Sequence, residues 1–162
     1  EKGVTSFTIV AADVMPGMVA SAELMAQEFA EVGVQVTVDK RDPQTYYSNP
    51  TELHQVQAAT AFWINRNPIT EFRSQVMPDY PFNLSGFTSE TIQQNLVKAT
   101  ATLDAAEQKK LVGEINKEIH DQGGDLIWGY QKQVSAYRAG LENFTSVQSV
   151  PWLTKATFNP VG

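Results

Sequence analysis

The spacing of apolar residues near the start of the chain changes period twice. Ser6-Phe7-Thr8-Ile9-Val10-Ala11-Ala12 is rich in β-formers and predicts a strand. Pro16-Gly17 then interrupts the chain, and Met18, Ala22, Met25, Phe29 and Val32 recur at spacings of four, three, four and three. That spacing places them on one face of an amphipathic helix, with Gly33 where a helix C-terminus favours glycine. Val34, Val36 and Val38 next alternate with Gln35, Thr37 and Asp39, the pattern of a half-buried strand. Strand, helix and strand within about forty residues form a βαβ crossover, which requires parallel pairing. Met18, Met25 and Phe29 are expected to face that sheet.

The pattern loosens after Asp39. Asp42-Pro43 followed by Gln44–Ser48 predicts a short capped helix, ended by Asn49-Pro50. Residues 55–64 are apolar and small, and predict a buried strand ending at Phe62-Trp63; residues 69–77 predict a short helix. Two Pro and one Gly mark 78–87 as loop. Thr88 is placed to cap the next helix, with Phe87 and Ile92 at staple spacing and Ile92, Leu96, Ala99 and Leu103 on its apolar face. Asp104 with Glu107 predicts the start of a further helix, whose face is Leu111, Ile115 and Ile119 and whose end is Gly123-Gly124. Residues 126–130 and 134–137 read as strands, and 147–150 as a weaker one. No internal repeat or low-complexity tract is present.

Composition narrows the function classes. A chain of 162 residues is the size of one domain, large enough to build a core unaided. Twelve Lys and Arg against 18 Asp and Glu give a net charge of −6, which disfavours binding to nucleic-acid backbones and anionic lipid. With no cysteine, disulfides, thiolate metal sites and cysteine nucleophiles are impossible. The chain opens Glu1-Lys2-Gly3 and has no apolar run near the ~20 residues of a membrane span. It reads as a mature or excised soluble piece, any targeting signal already removed.

Motifs for phosphate binding, serine hydrolysis and zinc proteolysis are absent. His54 and His120 are the only histidines, and nothing in the sequence brings them together as metal ligands. Asn83-Leu84-Ser85 and Asn143-Phe144-Thr145 match the glycosylation pattern, a match common by chance. More informative is Phe62-Trp63-Ile64-Asn65-Arg66-Asn67-Pro68, which sets a large aromatic, amides and a guanidinium at a strand end. Ligands of open α/β sheets collect there. The competing role for Trp63 is core packing, and for Arg66 a solvated loop charge. Trp128 and Tyr130, alternating with Gly129, would share a strand face, with core packing again the default.

Taken in order, these segments resemble one lobe of the family 5 extracytoplasmic solute-binding proteins, the peptide- and nickel-type receptors of ABC importers. Phe7–Val10, the helix ending Ala26-Gln27-Glu28-Phe29-Ala30-Glu31-Val32-Gly33 and the strand Val34–Val38 are similar to that family's opening signature. Asp42–Ser48 resembles its tyrosine-bearing helix, Phe62-Trp63 with Asn67-Pro68 its tryptophan segment, and Asn83–Phe87 its serine-glycine loop. The helix from Asp104 to Asp121 and the segments after it resemble its closing patterns. The order of these motifs is more specific than any one of them, and together they cover about Ser6 to Val150.

The resemblance implies an α/β fold, a mixed sheet flanked by helices, as one lobe of a type II periplasmic-binding-protein-like architecture. Residues 1–162 would form that single lobe, a fragment without its partner lobe. The implied function is non-catalytic recognition of a small or peptide-like solute for ATP-driven import. The lobe would work with its missing partner and a membrane permease, in the periplasm or outside the cell; a lipoprotein anchor is one arrangement for the full-length protein. No cofactor, metal, catalytic residue or nucleic acid is expected. Trp63 would stack on the solute, Asn65 and Arg66 would hydrogen-bond it, and Trp128 and Tyr130 would line the cleft. The family's peptide receptors carry an acidic residue about three positions after the tryptophan, where this chain has Ile64, Asn65 and Arg66. A buried peptide ammonium there would lack its partner and meet a like charge, at a cost of several kcal/mol. A carboxylate, a phosphate or sugar hydroxyls suit Asn65 and Arg66 better. The family's proline before its late strand is also missing at Gly124-Asp125-Leu126. A hydrolase-type enzyme domain and a pure protein-interaction module are the alternatives.

Overall fold

The computed structural model describes residues 3–132, 134–147 and 150–159. These fall into two compact units. The first runs to Trp63 and resumes over Asn67–Asp125; the second comprises Ile64–Arg66 and the chain from Leu126 onward.

The first unit is organised around β1 (Ser6–Ala11). Helix α1 (Met18–Glu31) returns the chain to β2 (Gln35–Lys40), which pairs with β1 in parallel, Phe7 beside Val36 and Ile9 beside Val38. The expected crossover is therefore present. Gly17 precedes α1 at φ 92° and offers no capping side chain; the Asp13 carboxylate instead accepts the Val19 N–H at 3.0 Å. At the other end, Gly33 adopts φ 82° while its N–H reaches Ala30 and that of Val34 reaches Phe29, a Schellman turn. That turn carries Val32 off the apolar face, and it is 74% exposed rather than buried as its spacing suggested.

Strand β1 is covered on both faces because successive side chains alternate. Ile9 and Ala11 pack with Ala22, Met25 and Val38, and Phe7 meets Phe29 edge-on at 5.2 Å. Val10 and Ala12 pack on the other face with Met18, Tyr46 and Leu53. Residues 43–48 supply that second layer as consecutive turns, not the expected helix. The Asp42 carboxylate accepts the Gln44 N–H at 2.7 Å, satisfying the chain locally in a turn. The helix begins later, at α2 (Pro50–Leu53), so Asn49-Pro50 starts an element where the sequence predicted an end.

The strand expected over 55–64 shrinks to β3 (Ala58–Ala59), parallel to β1. Its last rung is the Thr60 N–H donating to the Val10 carbonyl, and there the Tyr46 hydroxyl lies 3.0 Å from that oxygen and 2.9 Å from the Thr60 carbonyl. The resulting three-stranded sheet, β2-β1-β3, is parallel throughout.

Helices α3 (Pro68–Val76), α4 (Glu90–Ala101) and α5 (Ala105–Gln122) share a core of Phe72, Val76, Ile92, Leu96 and Ile115. Asn67 caps α3 through Ile69 N–H, and Asp104 caps α5 through Ala106 and Glu107 N–H. Ser89, not Thr88, caps α4, accepting the Ile92 N–H at 3.0 Å. Leu103, expected on the same face as Ile92, lies beyond the end of α4 and is fully exposed.

The second unit carries two antiparallel ribbons. One pairs β4 (Leu141–Glu142) with β7 (Thr157–Phe158), the other β5 (Thr145–Val147) with β6 (Val150–Trp152). Among the described residues, antiparallel pairing is thus confined to these ribbons. Residues 126–130 and 134–137 are not strands: their apolar side chains have β-propensity, but no neighbouring strand pairs with them among the described residues. The strand expected over 147–150 is instead where β5 ends and β6 begins; Gln148 and Ser149 lie outside the described residues. Gly140, at φ 94°, passes so close to the Asn159 carbonyl that a Cβ would collide with it. Arg138 sits over the Phe158 ring, 5.7 Å from its centroid.

Candidate functional site

The crossover through α1 covers one face of β1, and the turns and α2 that lead to β3 cover the other. Strand order β2-β1-β3 makes β1 the position where the winding reverses. Open α/β sheets bind ligands at such a reversal, beyond the carboxyl ends of the strands.

The chain leaving that end is aromatic. Tyr46 is buried, its hydroxyl bonded at the ends of β1 and β3 as described above. The Tyr47 ring stands edge-on to Tyr46 at 4.9 Å and reaches Phe62 at 6.1 Å and Phe82 at 6.3 Å. Phe82 meets Trp63 at 6.5 Å in a T-shaped contact and Tyr80 at 6.3 Å. Edge-to-face contacts of this kind add about 0.5–1.5 kcal/mol each beyond the area they bury. Tyr47, Phe62, Trp63, Tyr80 and Phe82 thus form one aromatic wall, with Tyr80 and Phe82 each 37% exposed. Burial pushes the Tyr47 hydroxyl up to about 12; it lies near the Phe62 backbone without a hydrogen bond of acceptable geometry.

The loop that carries Tyr80 and Phe82 is closed by Asn83. This residue is buried, and its amide donates to the Phe87 carbonyl at 3.1 Å and the Met77 carbonyl at 3.4 Å. Asn83 is therefore a structural clasp, which removes it as a glycan acceptor. The cationic side chains where β2 ends are already paired: Lys40 with Glu23 at 2.6 Å, and Arg41 with Asp39 at 2.7 Å.

Of the residues singled out from sequence, Trp63 joins this wall, half-buried. Asn65 is exposed and Arg66 half-buried, and both belong to the second unit. Trp128 and Tyr130 also belong there, on irregular chain and exposed, so the shared strand face expected of them is absent. Tyr47, Tyr80 and Phe82 were missed. Their only sequence signal was the density of aromatics in segments that otherwise read as turns and loop.

His54 and His120 are far apart in role: His54 Nε2 is 2.8 Å from the Pro81 carbonyl, and His120 Nδ1 is 3.0 Å from the Asp121 carboxylate. No group of three or more potential metal ligands occurs among the described residues. Two concavities lie on the helical layer. One of about 400 Å³ is lined by Thr91, Glu114, Lys117 and Asp121, the other of about 200 Å³ by Asn67, Gln108, Lys109 and Val112. Both lack aromatic rings. No helix among the described residues is long and apolar enough to cross a membrane.

No family model matches the sequence, and no curated protein matches it. Solved structures do match. The pheromone receptor PrgZ, solved for its mode of peptide binding, is 15% identical, with a TM-score of 0.65 over 96% of this chain and 30% of its own. The ABC transporter-associated periplasmic binding protein DppA from Helicobacter pylori, in complex with the peptide STSA, is 21% identical, with a TM-score of 0.63 over 73% of this chain and 24% of its own. NikZ from Campylobacter jejuni, in complex with Ni(L-His), is 18% identical, with a TM-score of 0.62 over 72% and 24%. The chain therefore shares its fold with part of the substrate-binding proteins of this type, the α/β lobe that the sequence resemblance implied. It spans less than a third of the length of each.

Proposed function

We propose that this chain is one lobe of a two-lobed, non-catalytic receptor that recognises a small or peptide-like solute for an ABC importer, outside the cytoplasm. The observation that carries the reading is the aromatic wall at the carboxyl ends of β1 and β3, on a fold shared with proteins solved around a peptide and a nickel–histidine complex. An aromatic surface at a strand-end reversal offers stacking area and little else, which suits binding rather than bond-making. A second lobe would supply the opposing surface, and a membrane permease would receive the solute. Trp63 is the proposed solute contact of the first unit, and Asn65, Arg66, Trp128 and Tyr130 are proposed contacts of the second, each unit taken by itself. Asn65 and Arg66 favour solutes with a carboxylate, phosphate or hydroxyl groups over a peptide amino terminus.

Nitrogen-15 NMR tests the reading. Short peptides, disaccharides and dicarboxylates at millimolar concentration are added to the labelled chain. Shifts clustered on Trp63, Tyr47 and Phe82 support a solute-facing wall. Shifts that avoid both this wall and Asn65, Arg66, Trp128 and Tyr130, or none with any class, sink it.

A further inference from the structure

His54 closes α2, and the residue before it, Leu53, is buried among Val10, Ala12, Met18 and Tyr46. Its backbone is therefore a fixed post on the sheet. Its Nε2 lies 2.8 Å from the Pro81 carbonyl, 27 residues further along the chain. Pro81 offers only a carbonyl, so Nε2 must carry the hydrogen, a requirement met by one neutral tautomer and by the cation. Pro81 stands between Tyr80 and Phe82, the two most exposed rings of the wall. Its loop is otherwise closed on itself: Tyr80 N–H bonds Met77, Asn83 N–H bonds Tyr80, Gly86 N–H bonds Asn83, and the Asn83 side chain bonds Met77 and Phe87. These bonds fix the loop's shape, and Leu84 packs its far side against the core around Val10, Tyr46 and Leu53; the His54 bond is the polar tie of the tip itself, at Pro81.

We propose that His54 is a positioning residue for the aromatic wall. By holding the Pro81 carbonyl, it sets where Phe82 meets Tyr47 and Trp63. Its relevance to solute binding rests on the function proposed above; the positioning itself does not. Loss of the bond lets the tip turn about the packed Leu84, and Phe82 shifts in its edge-on contact with Trp63. The consequence is local, because Leu53 and Asn83 keep their own anchors.

The indole N–H signals of the full chain, assigned with Trp128→Phe and Trp152→Phe, test this without any solute. His54→Ala should shift the Trp63 signal by more than its line width and leave Trp128 and Trp152 in place. Phe82→Leu should shift the same signal, establishing that it reports that ring. His54→Gln places an N–H donor at nearly the position of Nε2 and should restore the original signal. An unmoved Trp63 signal in His54→Ala overturns the proposal. So does His54→Gln behaving like alanine, or either variant failing to fold, which would make His54 merely structural. Positioning confirmed alongside a wall that ignores every solute would leave this inference standing and remove the function.

Discussion

Tyr46 and Tyr47 are adjacent, with rings 4.9 Å apart and crossed at 70°, yet their hydroxyls have opposite fates. The first lies within bonding distance of the Val10 and Thr60 carbonyls, whereas the second is buried without a partner. A buried polar group left unpaired costs about 1–3 kcal/mol, while a typical net hydrogen bond contributes about 0.5–1.5 kcal/mol. Tyr46→Phe should therefore destabilise the chain by about 1–2 kcal/mol, and Tyr47→Phe should be neutral or stabilising by up to about 1 kcal/mol. Urea unfolding of the two variants checks the contrast; equal losses would refute it.

Alkaline pH should weaken the fold through both rings, because burial raises each hydroxyl above the ordinary tyrosine value. Burial raises Tyr47 from its ordinary value near 10 to about 12, so the folded chain keeps a proton that the unfolded chain releases earlier. Where the unfolded state binds fewer protons, stability falls as pH rises. The contribution of Tyr47 is thus intact below about pH 10 and declines between there and about 12. Lysines titrate in this window too, so the test is a difference. The stability of Tyr47→Phe, measured by urea at several pH values, should fall less steeply than that of the parent.

Two positions that the sequence pattern set on apolar helix faces should respond very differently. Ile115, fully buried in the helical core, should lose roughly 2–5 kcal/mol on change to Ala. Asp104→Ala should cost about 1 kcal/mol through the lost cap of α5. Leu103→Ala, at an exposed junction, should stay within about 0.5 kcal/mol. Chemical unfolding that ranks Leu103 with Ile115 would contradict the packing described.

Solute affinity should be poor. A two-lobed receptor dries its ligand from both sides, and one lobe leaves roughly half that burial while the cost of immobilisation persists. Losing half of the ~8 kcal/mol of a micromolar receptor leaves about millimolar affinity. Calorimetry with peptides, sugars and carboxylates measures it directly. A single-site constant near or below micromolar would mean a complete pocket in this chain and end the half-receptor reading.

The legible parts of the fold were those in which local pattern and tertiary burial agree. The spacing of Met25 and Phe29, the alternation of Val36 and Val38, and the Asp104 cap each act within a few residues. Val32 and Leu103 misled because periodicity does not mark where a helix stops; a Schellman turn and a short connection displaced them. Residues 126–130 misled because β-propensity cannot supply a pairing strand. Of the aromatic wall, Phe62 and Trp63 were legible, as neighbours at the end of an apolar run. Tyr47, Phe62 and Phe82 converge from three separate segments, and no local signal records such a meeting.

The sheet order has a kinetic consequence. Every pairing in it joins residues distant along the chain: Ser6 with Gln35, 29 positions on, and Ile9 with Ala58, 49 positions on. Helices α4 and α5, by contrast, pack across a connection of three residues, 102–104. Closing a long loop costs entropy before any contact rewards it, so non-local parallel pairing slows folding. The α4–α5 pair can therefore collapse early on its own contacts, and the docking of β3 comes late. Phe62 and Trp63 follow that last strand, so the aromatic wall is among the final features the chain acquires as it folds.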